Sequence, residues 1–381
     1  MVHENGNPAD DKEDQSALEG NEADENTTPD REESGTTSQE PSIDERYADV
    51  KTRVAEQYEE YIEEDGFLSE FLPVYRVAVR TYLIPIAFSL IIAGILAYIT
   101  YEVAGLSRQI PEDSPEAGLM NGLFFVLSAV ISSVFIAFIV KKRGENALKY
   151  LMAGAFLVLT FFLIIFFADI AVFLFNPTET FYYIYSSIVM VISGILSVTL
   201  IYMFFTGKMG IKLKNAYVLT IGILIGAFMG TIMPTWTAFT LLIGISLWDI
   251  YSVNSKRGPI RQILESTGGL DPEFEEKLKS GEIQLVDEFS DSELEIGVGD
   301  IAFYSLLVAH VLTLTGDITS SIWISLLVSV FTAAGVLLGA YLTISALKKN
   351  KILPGLPLSI FIGSAVFGAS IGIYYLIENF L

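Results

Sequence analysis

Gly297-Val298-Gly299-Asp300-Ile301-Ala302-Phe303-Tyr304-Ser305 opens an apolar run that continues to about residue 316. At 1.5 Å rise per residue, about 20 helical residues cross a hydrocarbon core about 30 Å thick, so this run reads as a membrane span. It carries a carboxylate near its start. A second aspartate, Asp249, sits in Leu247-Trp248-Asp249-Ile250-Tyr251, inside the preceding apolar run. Burying a carboxylate at membrane depth costs about 2.5–3.5 kcal/mol even on the lenient insertion scale. A chain that carries this cost twice is expected to use it, and the two aspartates read as halves of one hydrolytic site.

Working outward, the rest of the chain follows the same pattern. Of its 381 residues, 52% are hydrophobic, too many for a soluble protein of this size. The fold class expected is an all-α polytopic membrane protein. Its nine spans lie near 81–101, 118–140, 149–175, 182–206, 215–232, 235–254, 297–316, 320–345 and 356–378, within a membrane domain of 75–381. Residues 1–70 hold 23 acidic and 5 basic side chains, and so most of the net charge of −22. The first 45 have almost no large apolar groups, so this tail is expected to be disordered and solvated. An acidic surface of this kind suits a high-salt cytoplasm and an archaeal source. Residues 46–65 have the spacing of an amphipathic helix, with Tyr47, Val50, Val54, Tyr58 and Ile62. The acidic N-terminus lacks the basic start and early apolar run of a signal peptide.

Basic residues set the orientation. Arg76 and Arg80 precede the first span; Lys141, Lys142, Arg143, Lys149, Lys208, Lys212 and Lys214 fall in loops on the same side. So do the basic residues of the 255–295 loop and Lys348, Lys349 and Lys351, while the alternate loops carry Arg108 alone. The N-terminus is therefore expected in the cytoplasm, the C-terminus outside, and the chain in the cell membrane. Glycines four apart, at Gly222, Gly226 and Gly230, at Gly335 and Gly339, and at Gly368 and Gly372, read as sites of close helix packing.

In this topology Asp249 and Asp300 share a depth, each roughly 7–10 Å inside the cytoplasmic boundary at helical rise. Gly297 and Gly299 remove side chains where another backbone can approach. A third element, Pro354-Gly355-Leu356-Pro357, opens the ninth span at the same end. It reads equally as a break that shapes a wet cavity or as an ordinary helix start with proline in its first turn. Two close carboxylates share one proton. The ionised member then takes a proton from water attacking an amide, and the protonated member donates to the carbonyl oxygen. Without cysteine, and with only His3 and His310 as imidazoles, disulfides, thiolate zinc sites and a two-histidine zinc helix are excluded.

Asp249, Gly297-Val298-Gly299-Asp300 and Pro354-Gly355-Leu356-Pro357, in this order and in these spans, resemble the presenilin and signal peptide peptidase family of intramembrane aspartyl proteases. The departures are Trp248 for the usual Tyr, Val298 for the Leu of Gly-Leu-Gly-Asp, and Gly355 for the Ala of Pro-Ala-Leu. The continuation Ile301-Ala302-Phe303-Tyr304-Ser305 and the derived topology favour the presenilin branch, closest to an archaeal homologue. This resemblance implies an intramembrane endopeptidase with Asp249 and Asp300 as its catalytic pair. Its substrates would be single-span proteins with N-termini outside. The resemblance also implies a substrate strand pairing with a short strand before span seven. Here Ser292-Glu293-Leu294-Glu295-Ile296 alternates as such a strand would, with Leu294 and Ile296 as its apolar positions. No metal, cofactor, nucleic acid or obligate partner subunit is expected.

Other acids and aromatics read more plainly. Asp169 in span three is taken as structural and hydrogen-bonded to a neighbouring helix, Asp317 as solvated at the outer boundary, and His310 as a satisfied interior histidine. Phe161, Phe162, Phe166 and Phe167 are packing or lipid-facing groups. The competing function is a secondary transporter or cation channel that uses the membrane carboxylates for ions.

Overall fold

A computed structural model describes residues 73–103, 114–143, 145–255, 293–347 and 355–380. The acidic tail, the 46–65 helix, most of the 255–295 loop and Pro354 lie outside the described residues. Of two compact units in the chain, Met1–Gln57 and Tyr58–Leu381, only the second contributes described residues.

The described chain begins with a short strand, β1 (Val74–Ala78), which a single 3₁₀ turn joins to helix α1 (Leu83–Tyr98). Then come α2 (Pro115–Arg143), α3 (Glu145–Phe173), α4 (Glu179–Phe205), α5 (Ile211–Ile232) and α6 (Thr235–Asn254). Strand β2 (Glu293–Gly297) leads directly into α7 (Val298–Thr319), followed by α8 (Ile322–Leu347) and α9 (Gly355–Phe380). Among the described residues, nine helices are long and apolar enough to cross a membrane, and their bounds agree with the expected spans to within a few residues.

Helix α7 is the hub. Protein buries 78% of its most apolar window, against 11% for α9, and it packs on α1, α5, α6, α8 and α9. The glycine stripe of α5 explains how one neighbour comes so close. A Cβ at Gly222 would lie 2.7 Å from Ile301 Cγ2, at Gly226 2.6 Å from the Ala302 carbonyl oxygen, and at Gly230 2.7 Å from Ala309 Cβ. Such separations do not occur between real atoms, so α5 and α7 meet backbone to backbone only because these side chains are missing. Gly335 and Gly339 of α8 seat α9 in the same way, against Gly363 and Ser359. Gly368 and Gly372 do not follow the expectation: nothing lies within 4 Å of either Cβ position. Both lie on an exposed side of α9, although Val366 and Phe367 beside them still contact α8 and α6.

The phenylalanines of α3 also pack. Phe162 and Phe166 set their rings at right angles to Phe228 of α5, at 5.1 and 4.7 Å between centroids.

Candidate active site

Three chain segments converge at one end of the bundle: the last turns of α6 and the first turns of α7 and α9. Gly297, with φ −64° and ψ 142°, is the hinge between strand and helix and the N-cap of α7. Asp300 is therefore the third residue of α7, in its first turn. The chain leading to it is extended as far as Gly297, so its depth does not follow from helical rise along residues 293–297. Asp249 lies five residues before the end of α6.

Helix α9 supplies the link between them. The first N–H groups of a helix have no partner inside it, and the one on Leu356 lies beside the Asp249 carboxylate. Next to it, a Cβ at Gly355 would lie 3.4 Å from Asp300 Oδ2. The Tyr304 hydroxyl, one turn beyond Asp300, donates to the Gly355 carbonyl at 3.0 Å. Asp300 is close enough to Asp249 to feel its charge, and Tyr82 and Tyr304 in turn feel that of Asp300. Each carboxylate thus sits at the positive end of a helix dipole, Asp300 in α7 and Asp249 against α9, which offsets part of the cost of placing charge there. Pro357 occupies the third position of α9, where a missing N–H costs no helical bond. The described part of this motif is thus an ordinary helix start.

The remaining expected residues are placed as follows. Trp248 is half-buried, with its ring 5.4 Å from that of Tyr251 on its own helix. Val298 packs against the apolar cluster between α3, α4 and α5. Gly297 faces Asp300, with a Cβ position 3.8 Å from Oδ2, whereas among the described residues nothing lies within 4 Å of the Cβ position of Gly299. Ile296 is fully buried and Leu294 half-buried, as the alternation requires.

The expected strand forms, but it already has a partner. β2 pairs antiparallel with β1, in the register Tyr75↔Ile296, Arg76↔Glu295, Val77↔Leu294. The Val298 N–H continues the ladder to the Pro73 carbonyl at 3.1 Å. Both backbone groups of Arg76 point away from β2, to the side chain of Asn215 on α5. Arg76 and Glu295 are therefore a non-hydrogen-bonded pair, and Tyr75–Ile296 and Val77–Leu294 exchange the ladder bonds. Their side chains meet as an ion pair at 2.9 Å. It follows that the backbone N–H groups of Glu295 and Gly297 face the outer edge of β2, on the side away from β1.

Tyr82, Tyr304, Arg76 and Asn215 were not singled out from sequence. The β-branched and aromatic residues of Val74-Tyr75-Arg76-Val77 were a signal for β1, but they merge with the apolar lead into α1.

One of the side readings needs correction: among the described residues, Asp169 Oδ1 is buried without a hydrogen-bond partner, and the nearby Tyr185 hydroxyl of α4 donates instead to the Ala168 carbonyl. Asp317 is exposed as expected, and it also accepts from the Tyr101 hydroxyl beyond α1. His310 is interior as expected, its Nδ1 3.0 Å from the Gly230 carbonyl oxygen. That contact requires the proton on Nδ1.

The presenilin family model matches residues 93–269, a stretch that includes Asp249 and ends before Asp300. Curated relatives include presenilin-B of Dictyostelium discoideum, 34% identical over 169 residues, 44% of this chain and 31% of that protein. A presenilin-like protein of Arabidopsis thaliana is 29% identical over 39% of this chain and 36% of its own length. The presenilin homolog of Drosophila melanogaster is 24% identical over 46% and 32%. The chain spans about a third of the length of the curated relatives it matches. Among solved structures, a presenilin family intramembrane aspartate protease aligns over 77% of this chain and 98% of its own, with 13% identity and a TM-score of 0.49.

Proposed function

We propose that this chain, which is similar to presenilins over part of its length, is an intramembrane aspartyl endopeptidase with Asp249 and Asp300 as its catalytic pair. What supports the reading is that two membrane carboxylates, one from the last turns of α6 and one from the first turn of α7, lie within electrostatic reach of each other beside the start of α9. Two acids that feel each other's charge hold one proton between them. The ionised oxygen accepts a proton from water as that water attacks the scissile carbonyl, while the protonated acid donates to the carbonyl oxygen. Transfer of a proton to the departing amine returns the pair to its starting state.

A helical substrate shelters its peptide bonds in its own hydrogen bonds, so the segment to be cut must be extended. The outer edge of β2 offers it a ladder. A strand paired to the Gly297 N–H lies three residues from Asp300. The charge asymmetry of the loops puts this end of the bundle in the cytoplasm, and substrates are then single-span proteins with N-termini outside.

The test is cleavage of a detergent-solubilised single-span reporter by wild type, Asp249→Ala and Asp300→Ala. Products from wild type alone are expected. Products that persist in both variants would point to a contaminating protease and sink the assignment. A carboxylate-dependent cation leak without any products would favour the transporter reading instead.

A further inference from the structure

A two-stranded sheet has two edges, and an incoming strand can add to either. Here the two edges differ. On the β1 edge, Asn215 Oδ1 accepts from the Arg76 N–H at 3.0 Å, and Asn215 Nδ2 donates to the Arg76 carbonyl at 2.8 Å. One carboxamide thus satisfies the outward donor and acceptor of the central residue, as a neighbouring strand would. The next outward carbonyl, on Ala78, accepts from the Thr81 hydroxyl at 3.2 Å. The clamp is rigidly mounted, since Asn215 lies in the second turn of α5, the helix seated on α7 through its glycine stripe.

We propose that Asn215 is a positioning residue that closes the β1 edge, so that a substrate strand adds only beside β2, in register with Asp300. The inference rests on the protease reading above. A strand added to β1 would lie three strand spacings, about 14–15 Å, from the one that a strand on the outer edge of β2 would occupy. Its peptide bonds would miss the carboxylates. The same clamp fixes β1, and through the ladder it fixes the course of β2 into α7. Asn215 touches neither the substrate bond nor the carboxylates, so its effect is on which bond is presented.

The experiment compares wild type with Asn215→Leu, similar in size but with no donor or acceptor. Two readouts are taken: amide exchange across 74–78, and the cleavage positions of the reporter by mass spectrometry. Exchange about tenfold faster is expected, as for the loss of one buried hydrogen bond. The dominant cleavage position should give way to a spread over neighbouring bonds, with thermal stability largely kept. Faster exchange with unchanged cleavage positions and rates overturns the positioning role, and unchanged exchange overturns the clamp. If Asn215→Leu does not fold, Asn215→Asp, which keeps Oδ1 and loses the donor, is read by the same criteria. Failure of the protease reading is separable, because wild type then yields no products that depend on Asp249.

Discussion

The Tyr304 hydroxyl donates to the Gly355 carbonyl at 3.0 Å, tying the first turn of α9 to α7 one turn past Asp300. Tyr304 is almost fully buried, so its phenol has no competing water. Through this bond the side that bears Asp300 holds the backbone whose next N–H, on Leu356, lies beside Asp249. Tyr304→Phe keeps the ring and leaves the Gly355 carbonyl without that donor, a loss of about 1–2 kcal/mol. The expected result is a fall in kcat of about tenfold with KM little changed, as for a group that aligns the reacting atoms rather than binding substrate. A variant with wild-type kcat would show that α9 is positioned without this bond.

Ladder geometry separates two kinds of proline substitution. The N–H groups of Leu294 and Ile296 bond to β1, so proline at either breaks the resident sheet. The Gly297 N–H faces the outer edge, and the φ of −64° at Gly297 already suits proline. Gly297→Pro is therefore expected to keep the β1–β2 pair and the thermal stability while cutting turnover at least about tenfold, through one lost ladder bond and its register. Gly297→Ala, whose Cβ would meet only Asp300 Oδ2 at 3.8 Å and Gly299 N at 4.0 Å, serves as the active control. Full turnover by the proline variant would remove the outer edge of β2 from the mechanism.

The spans were legible because a run of about 20 apolar residues has few alternative meanings. The pair Asp249 and Asp300 was legible for the same physical reason, since charge stands out against an apolar background. Strand β1 was not. Its five residues blend into the first span, and the Arg76–Glu295 contact joins residues 219 apart in sequence. Tyr82 was missed because its place beside Asp300 depends on how α1 packs against α7. Glycine spacing told the truth at Gly222, Gly226 and Gly230, but the same spacing at Gly368 and Gly372 has nothing against it. A period of four identifies a helix face without saying what covers that face.

That contrast gives a direct stability test. Gly226→Ala places a methyl where the Ala302 carbonyl oxygen lies 2.6 Å away and the Leu306 nitrogen 2.8 Å away. Backbone cannot yield as a flexible side chain can, so α5 and α7 must separate, at a cost of about 1–3 kcal/mol. Gly368→Ala and Gly372→Ala should stay within about 0.5 kcal/mol of wild type. Thermal unfolding of the three variants in one detergent decides the matter, and equal melting temperatures would refute the close α5–α7 contact.

Gly355 stands where the resembled family carries alanine, and its surroundings say what that difference does. An alanine Cβ would sit 3.4 Å from Asp300 Oδ2 and 4.0 Å from Cγ, which is ordinary contact. The φ of Gly355 is not positive, so an L side chain fits the backbone. Replacing glycine at a compatible position also lowers the entropy of the unfolded chain, which stabilises by about 0.4–1 kcal/mol. Gly355→Ala should therefore melt slightly higher and keep turnover within about threefold, less than 1 kcal/mol in the barrier. Gly355→Val adds two methyl groups to that Cβ, in a space bounded by Asp300 and next to the Leu356 N–H beside Asp249. Turnover should then fall by about a hundredfold or more, the loss expected when reacting groups shift by about 1 Å. If valine were tolerated as well as alanine, the start of α9 would lie farther from the carboxylate pair than this geometry requires.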